Sequence, residues 1–264
     1  MKTLTAAAAA ISIALAAAPA LAGVVITQQQ TMNSENGERK TNQTVMVQGN
    51  KQKVVTATNE VILDLDKGTM YVVDTPQKNY LEIPFPPRGV IASAMLRHTG
   101  LSFKKIGKSQ KIAGYPCEEY TGSGKTMFGD YSVTECVAKG APGAKEFYSF
   151  QKLMASKLKS SGAAPSGDIP DGIPMSSETV TRMNAINFTG MSPEQQKRIQ
   201  QAVAKRKPTT TSTVVTKIEE KKLADSDFAV PAGFNKRQMK INMGAPMGAA
   251  HFPTPHRPAP PAKK

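Results

Sequence analysis

The stretch CEEYTGSGKTMFGDYSVTEC, residues 117–136, decides between two folds. Its Gly124-Lys125-Thr126 looks like the end of a phosphate-binding loop, which would make the chain a nucleotide enzyme. Such a loop requires G-x-x-x-x-G-K-[ST], because the first glycine lets the backbone curl its N–H groups around the phosphates. The residue at that first position is Glu119, and a carboxylate there repels what it should cradle. The loop must also lead into a helix, yet Phe128-Gly129-Asp130-Tyr131-Ser132-Val133 reads as a turn and a strand. No nucleotide site is expected.

The two cysteines offer a different frame. Setting Cys117 opposite Cys136 across a hairpin sets Glu119 against Thr134 and Thr121 against Ser132, which places the glycine-rich stretch at the hairpin tip. A disulfide there stabilises by about 3 kcal/mol on the chain-entropy account. The alternative use of the cysteines is a reactive thiol pair, but its C-x-x-C spacing is missing.

Strand signals continue on both sides. VVITQQQTM reads as a strand and NSENGERK as a loop. QTVMVQGNKQKVVTAT is a hairpin whose Gly49-Asn50 suits a type II′ turn. EVILDLDKGTMYVVD is a second hairpin turning at Asp66-Lys67-Gly68, and KNYLEI adds a strand. Strands this closely spaced favour an antiparallel meander over βαβ units. Two segments change to helical period. Residues 87–98 put Val90, Ile91 and Met95 on one face. Residues 146–159 do the same with Phe147, Phe150, Met154 and Leu158. Further on, Ser192-Pro193-Glu194 reads as an N-cap, a first-position proline and an acidic first turn. The helix it opens is mostly basic, with Lys197, Arg198, Lys205, Arg206 and Lys207 around a narrow apolar stripe, so it is expected at the surface. TTTSTVVTKIEEKKL closes the sheet and DSDFAVPAGF ends the domain.

The ends of the chain bear on location. Lys2, an apolar alanine-rich run and Ala20-Leu21-Ala22 make the three-part form of a secretory signal, with cleavage expected between Ala22 and Gly23. Residues 1–22 are therefore expected to be removed, and the chain to work in a periplasm, where disulfides persist. Of the formal net charge of +14, six Lys and Arg with no acid fall in residues 235–264, and six prolines lie in the last twenty residues. Such a segment is expected to stay disordered, as a solvated tail or as a basic arm on anionic envelope surfaces. Residues 23–234 are then one domain.

Catalytic and metal chemistry finds little to stand on. The histidines are His98, His251 and His256, two of them in the tail, and nothing beside His98 marks a nucleophile. Asp64-x-Asp66-x-Gly68 lacks the remaining calcium ligands and reads as a turn. No zinc spacing exists. The basic clusters lack the aromatic platforms of nucleic-acid binders. The expectation is no enzyme, no cofactor, no metal and no nucleic-acid partner.

Three segments together, LDLDKGTMYVVDTPQKNYLEI, KIAGYPCEEYTG and KKLADSDFAVPAGF, resemble the exported bacterial proteins grouped as domain of unknown function 4412. The resemblance runs over about residues 43–235 and departs at SVTECVAKG and at 191–208, which looks like an insertion. That family is similar, more distantly, to the periplasmic lipoprotein-carrier (LolA/LolB-like) fold. The resemblance implies an α+β chain: a strongly curved, mainly antiparallel sheet, or half-barrel, with two or three helices on its concave side. Val90, Ile91, Met95, Phe147, Phe150, Met154 and Leu158 would then line a cavity or fill it, and filling is the commoner fate of an apolar stripe. The functional expectation is a monomeric, non-catalytic periplasmic protein of a Gram-negative bacterium that binds a lipid or other hydrophobic or amphiphilic ligand. The alternative is an envelope protein that binds anionic polymers or lipids through Lys197, Arg198, Lys205, Arg206, Lys207 and the tail.

Overall fold

The structure, a computed structural model, describes residues 22–86, 102–126, 129–160, 168–183 and 192–238. The first six strands form a meander: β1 Gly23–Ser34, β2 Gly37–Gln48, β3 Lys51–Val55, β4 Asn59–Asp64, β5 Thr69–Asp74 and β6 Asn79–Pro84. A second run comprises β7 Ser102–Ile112, β8 Tyr115–Thr126, β9 Gly129–Ala138 and β10 Ile173–Met183, with helix α1 Ala144–Ser160 between β9 and β10. Helix α2 Pro193–Ala204, β11 Thr209–Lys221, a 3-10 turn Asp225–Phe228 and β12 Asn235–Arg237 follow. All twelve strands make one open, curved sheet in the order β12-β6-β5-β4-β3-β2-β1-β11-β10-β9-β8-β7. The fold is α+β and antiparallel throughout, except that β12 runs parallel to β6.

Turn chemistry sets the meander. Gln48 pairs with Lys51, so Gly49-Asn50 is a two-residue loop. Only its first residue has positive φ (Gly49, 56°), the mark of a type II′ turn. The β4–β5 loop is tied by Asp64, whose Oδ1 accepts the Asp66 and Lys67 N–H groups at 3.1 and 3.0 Å. NSENGERK is not a loop: Ser34 pairs with Gly37, leaving a two-residue turn inside a long hairpin. The helix expected over residues 87–98 lies outside the described residues, as do residues 1–21 of the signal segment and residues 239–264. The sheet also runs past the domain end expected at 234, because Asn235–Arg237 pairs with Asn79–Leu81.

The hairpin of β8 and β9 exists, but its register differs from the one expected. Glu119 stands opposite Cys136, and pairing continues to Thr126 opposite Gly129. Cys117 and Cys136 are therefore diagonal neighbours, joined as a disulfide with their Cα atoms 5.3 Å apart. The glycines are not at the tip but within β8, and packing explains one of them. A Cβ on Gly124 would meet the Tyr131 ring at 2.5 Å, so glycine leaves room for the cross-strand aromatic.

Both faces of the sheet are covered. Helix α1 packs on β1, β2 and β10. It joins Phe147 and Phe150 to Val24, Ile26, Val45, Val47, Ile173, Met175 and Val215 in the main core. Full burial of a side chain such as Phe150 contributes about 1.5–3 kcal/mol. On the opposite face, Ile62 and Val73 are covered by Leu223 and Phe228, with Val230 and Phe234 packed alongside. Gln48 pins that segment by both amide atoms: Nε2 donates to the Leu223 carbonyl at 3.0 Å and Oε1 accepts the Leu223 N–H at 2.7 Å. At the sheet edge, β7 exposes Lys104, Lys105, Lys108 and Lys111, charges that discourage another strand from pairing there.

Reduction of Cys117–Cys136 is expected to lower unfolding stability by about 3 kcal/mol. Urea denaturation with and without reductant checks this, and coincident curves would show that the bond does not hold the hairpin ends.

Candidate ligand-binding cleft

A cavity of about 250 Å³ opens beside α1, lined by Ile26, Gln28, Gln43, Val45, Gln52, Val54, Glu135, Phe147, Ile173, Pro174, Ser177 and Thr213. Strand alternation divides this lining in two. Val54 of β3 stands opposite Val45, Phe147 is the first aromatic of the helix, and Ile26 and Val45 continue the apolar rows of β1 and β2 that pack under α1. Further along the same strands the inward positions turn polar. Gln28 and Gln43 are cross-strand partners, with Gln28 Nε2 donating to Gln43 Oε1 at 3.3 Å. Glu135 of β9 stands opposite Ser177 of β10, and Ser177 opposite Thr213 of β11.

Among the described residues, Glu135 is the only titratable group of this lining. It lies half-buried in the line Tyr131, Val133, Glu135, Val137, whose other members are buried. Burial pushes its carboxyl up to about 7, and the Ser177 hydroxyl, 3.5 Å from Oε1, offsets little of that. Desolvation disfavours the charged form. The cleft therefore has an apolar wall, a wall of amides and hydroxyls, and one carboxyl poised between charged and neutral near neutral pH.

A second cavity of about 350 Å³ lies where the chain enters α1, between Lys139, Gly143, Lys145, Glu146 and Glu220. Its carboxylates are already engaged. Glu220 Oε1 accepts the Gly143 N–H at 2.5 Å, and Glu146 Oε1 accepts the Gly49 N–H.

Of the apolar residues singled out in the sequence, Phe147 lines the cleft. Phe150 and Leu158 are buried, and Met154 packs on the main core. Val90, Ile91 and Met95 lie outside the described residues. Cys117 and Cys136 sit within the main core. Lys197, Arg198, Lys205, Arg206 and Lys207 are all exposed, on and just beyond a helix with no buried residue. That helix starts as expected, with Ser192 and Gln195 forming a capping box and Pro193 first. Ala22 is exposed and Gly23 opens β1. The three histidines lie outside the described residues, and among the described residues no three His, Cys, Asp or Glu side chains group as a metal site. Glu135 was missed by the sequence reading. Its signal was its place among alternating buried positions, which the displaced hairpin register concealed.

The shift of Glu135 makes a testable linkage. Between pH 4.5 and 7 the folded chain keeps a proton that the unfolded chain has lost, so stability falls as pH rises through that window. Glu135→Gln is expected to be more stable than the wild type at pH 8 by about 3 kcal/mol, and equal to it at pH 4. Urea denaturation at both pH values checks this; an unchanged difference would place the carboxyl in water.

A search of curated proteins finds no match. Among solved structures, PNGF-II is similar at 12% identity over 83% of this chain and 31% of its own, with a TM-score of 0.38. The chain thus spans under a third of that protein. A DUF1329 family protein from Desulfovibrio piger is similar at 8% identity over 80% of this chain and 91% of its own, with a TM-score of 0.33. A LolA superfamily protein from Nitrosomonas europaea is similar at 9% identity over 80% and 91%, with a TM-score of 0.30. The family pattern described as domain of unknown function (DUF4412) matches residues 25–167, from β1 to just past α1. The match begins earlier and ends earlier than the resemblance traced in the sequence, so β10 and β11, which complete the cleft, lie beyond it. The chain is a member of the DUF4412 family.

Proposed function

We propose that this is an exported, non-catalytic protein that holds a small hydrophobic or amphiphilic ligand in the cleft beside α1. The observation that carries the reading is the division of one cavity into an apolar wall (Ile26, Val45, Val54, Phe147, Ile173) and a polar one (Gln28, Gln43, Gln52, Glu135, Ser177, Thr213). Binding sites pair a largely apolar surface with a few placed polar groups. At about 250 Å³ the cleft is smaller than the usual site for a drug-sized molecule, which suits a short amphiphile or one end of a longer one. Export to a periplasm is supported by the form of residues 1–22 and by the disulfide, a bond that persists in oxidising compartments.

The competing use is contact with anionic polymers or lipids through Lys197, Arg198, Lys205, Arg206 and Lys207, favoured by the exposure of all five.

One comparison separates the two. Wild type purified from the exported fraction without detergent is expected to carry an amphiphile of defined mass in native mass spectrometry. Val54→Trp, which fills the cleft, should run bare while keeping its melting temperature. A bare wild type that also fails to bind N-phenyl-1-naphthylamine at micromolar concentration overturns the cleft reading. Salt-sensitive binding to phosphatidylglycerol vesicles, lost on replacing Lys205, Arg206 and Lys207 by Ala, would then favour the basic helix.

A further inference from the structure

We propose, building on the ligand-binding reading of the cleft, that its occupant is an amine-headed amphiphile whose ammonium group is held by the Glu135 carboxylate. Among the described residues, no Lys, Arg or His lines the cleft, so the described lining gives Glu135 no counter-ion. Among the described residues, its hydrogen-bond partner within the cleft is the Ser177 hydroxyl, at the long distance of 3.5 Å.

Among the described residues, the elements around Glu135 present neutral groups, apart from one ion pair. Thr213 comes from β11, Gln28 from β1, Gln43 from β2, Gln52 from β3 and Phe147 from α1. On β8, Tyr120 stands directly opposite. The pair is Glu118, two residues before Tyr120, and Lys105 of β7, which stands opposite Tyr120; each is engaged by the other at 2.6 Å. The site thus offers acceptors in excess: two carboxylate oxygens, hydroxyl oxygens and amide carbonyls.

An ammonium brings three donors and no acceptor, which matches that surplus. It also supplies the charge that a desolvated carboxylate lacks. A carboxylate or phosphate headgroup would instead set a second negative charge beside the first. An alcohol would satisfy one acceptor and neutralise nothing. The apolar wall receives the chain in all three cases, so the headgroup alone distinguishes them.

The pH dependence has a fixed sign. A proton on Glu135 competes with the ammonium, and that proton leaves near pH 7. Binding of the amine is therefore expected to tighten between pH 6 and pH 8, and binding of a carboxylate of the same chain to weaken.

Isothermal titration with decylamine, decanol and decanoate, all below their aggregation concentrations, tests this. On the wild type at pH 8, decylamine should bind about tenfold tighter than decanol, the size of one charge-assisted hydrogen bond. Decanoate should be the weakest. In Glu135→Gln the preference for the amine should vanish while decanol still binds. Equal affinities for amine and alcohol, or a preference for decanoate, would overturn the amine assignment and leave the cleft a ligand site. Failure of all three to bind would overturn both readings. The wild-type pH trend is independent of the variant, so a poorly folded Glu135→Gln leaves the test intact.

Discussion

Helix α1 lies against the centre of the sheet because the chain enters it through Gly143. A Cβ at that position would sit 2.5 Å from the Val24 Cβ, and the residue has a φ of +70°. Both facts call for glycine, one for space and one for a left-handed backbone. Two carboxylates then fix the entry: Glu220 of β11 holds the Gly143 N–H, and Glu146 of the helix reaches the Gly49 N–H in the β2–β3 turn. The first turn of α1 is therefore tied to two hairpin segments that are distant in sequence. Its position decides which inward-facing side chains are sealed and which stay open.

The boundary between packed core and cleft follows from that placement. Phe150 is sealed in the main core that also holds Met175 and Val47, whereas Phe147, one turn earlier, also lines the cleft. Past it, β1, β2, β10 and β11 continue outward with Gln, Thr and Ser on the inward positions, joined by Glu135 of β9. The opposite face is closed by other means. There the segment after β11 folds back over Ile62 and Val73, and the Gln48 amide holds Leu223 as a strand neighbour would. With that face covered and α1 fixed, the cleft is the place where the sheet presents both apolar and polar side chains to a common space.

Much of this was legible in the chain. The turns at Gly49 and Gly68 announce the meander. The spacing of Phe147, Phe150, Met154 and Leu158 announces α1, and Ser192-Pro193-Glu194 announces α2. Glu119 was enough to dismiss the phosphate loop. The register of β8 on β9 was not legible, because a disulfide tolerates a diagonal pair as readily as a direct one. A shift of two residues carries the glycines from turn to strand, where Gly124 makes room for Tyr131. The adjacency of β1 and β11 is also invisible locally, since it joins residues nearly two hundred positions apart. The cleft depends on that adjacency, so its residues could not be assembled by reading along the sequence.

The central claim is that the open end of the inward face, and not the exposed basic helix, is where this protein meets its ligand. Methyl-resolved NMR during titration with decylamine tests that most directly. The account predicts that the methyl signals of Ile26, Val45, Val54 and Ile173 shift together and saturate, while those of Ile62 and Val73 on the opposite face stay still. Shifts confined to the exposed Ile106 and Val214, or no saturable shift at the four cleft positions, would contradict it.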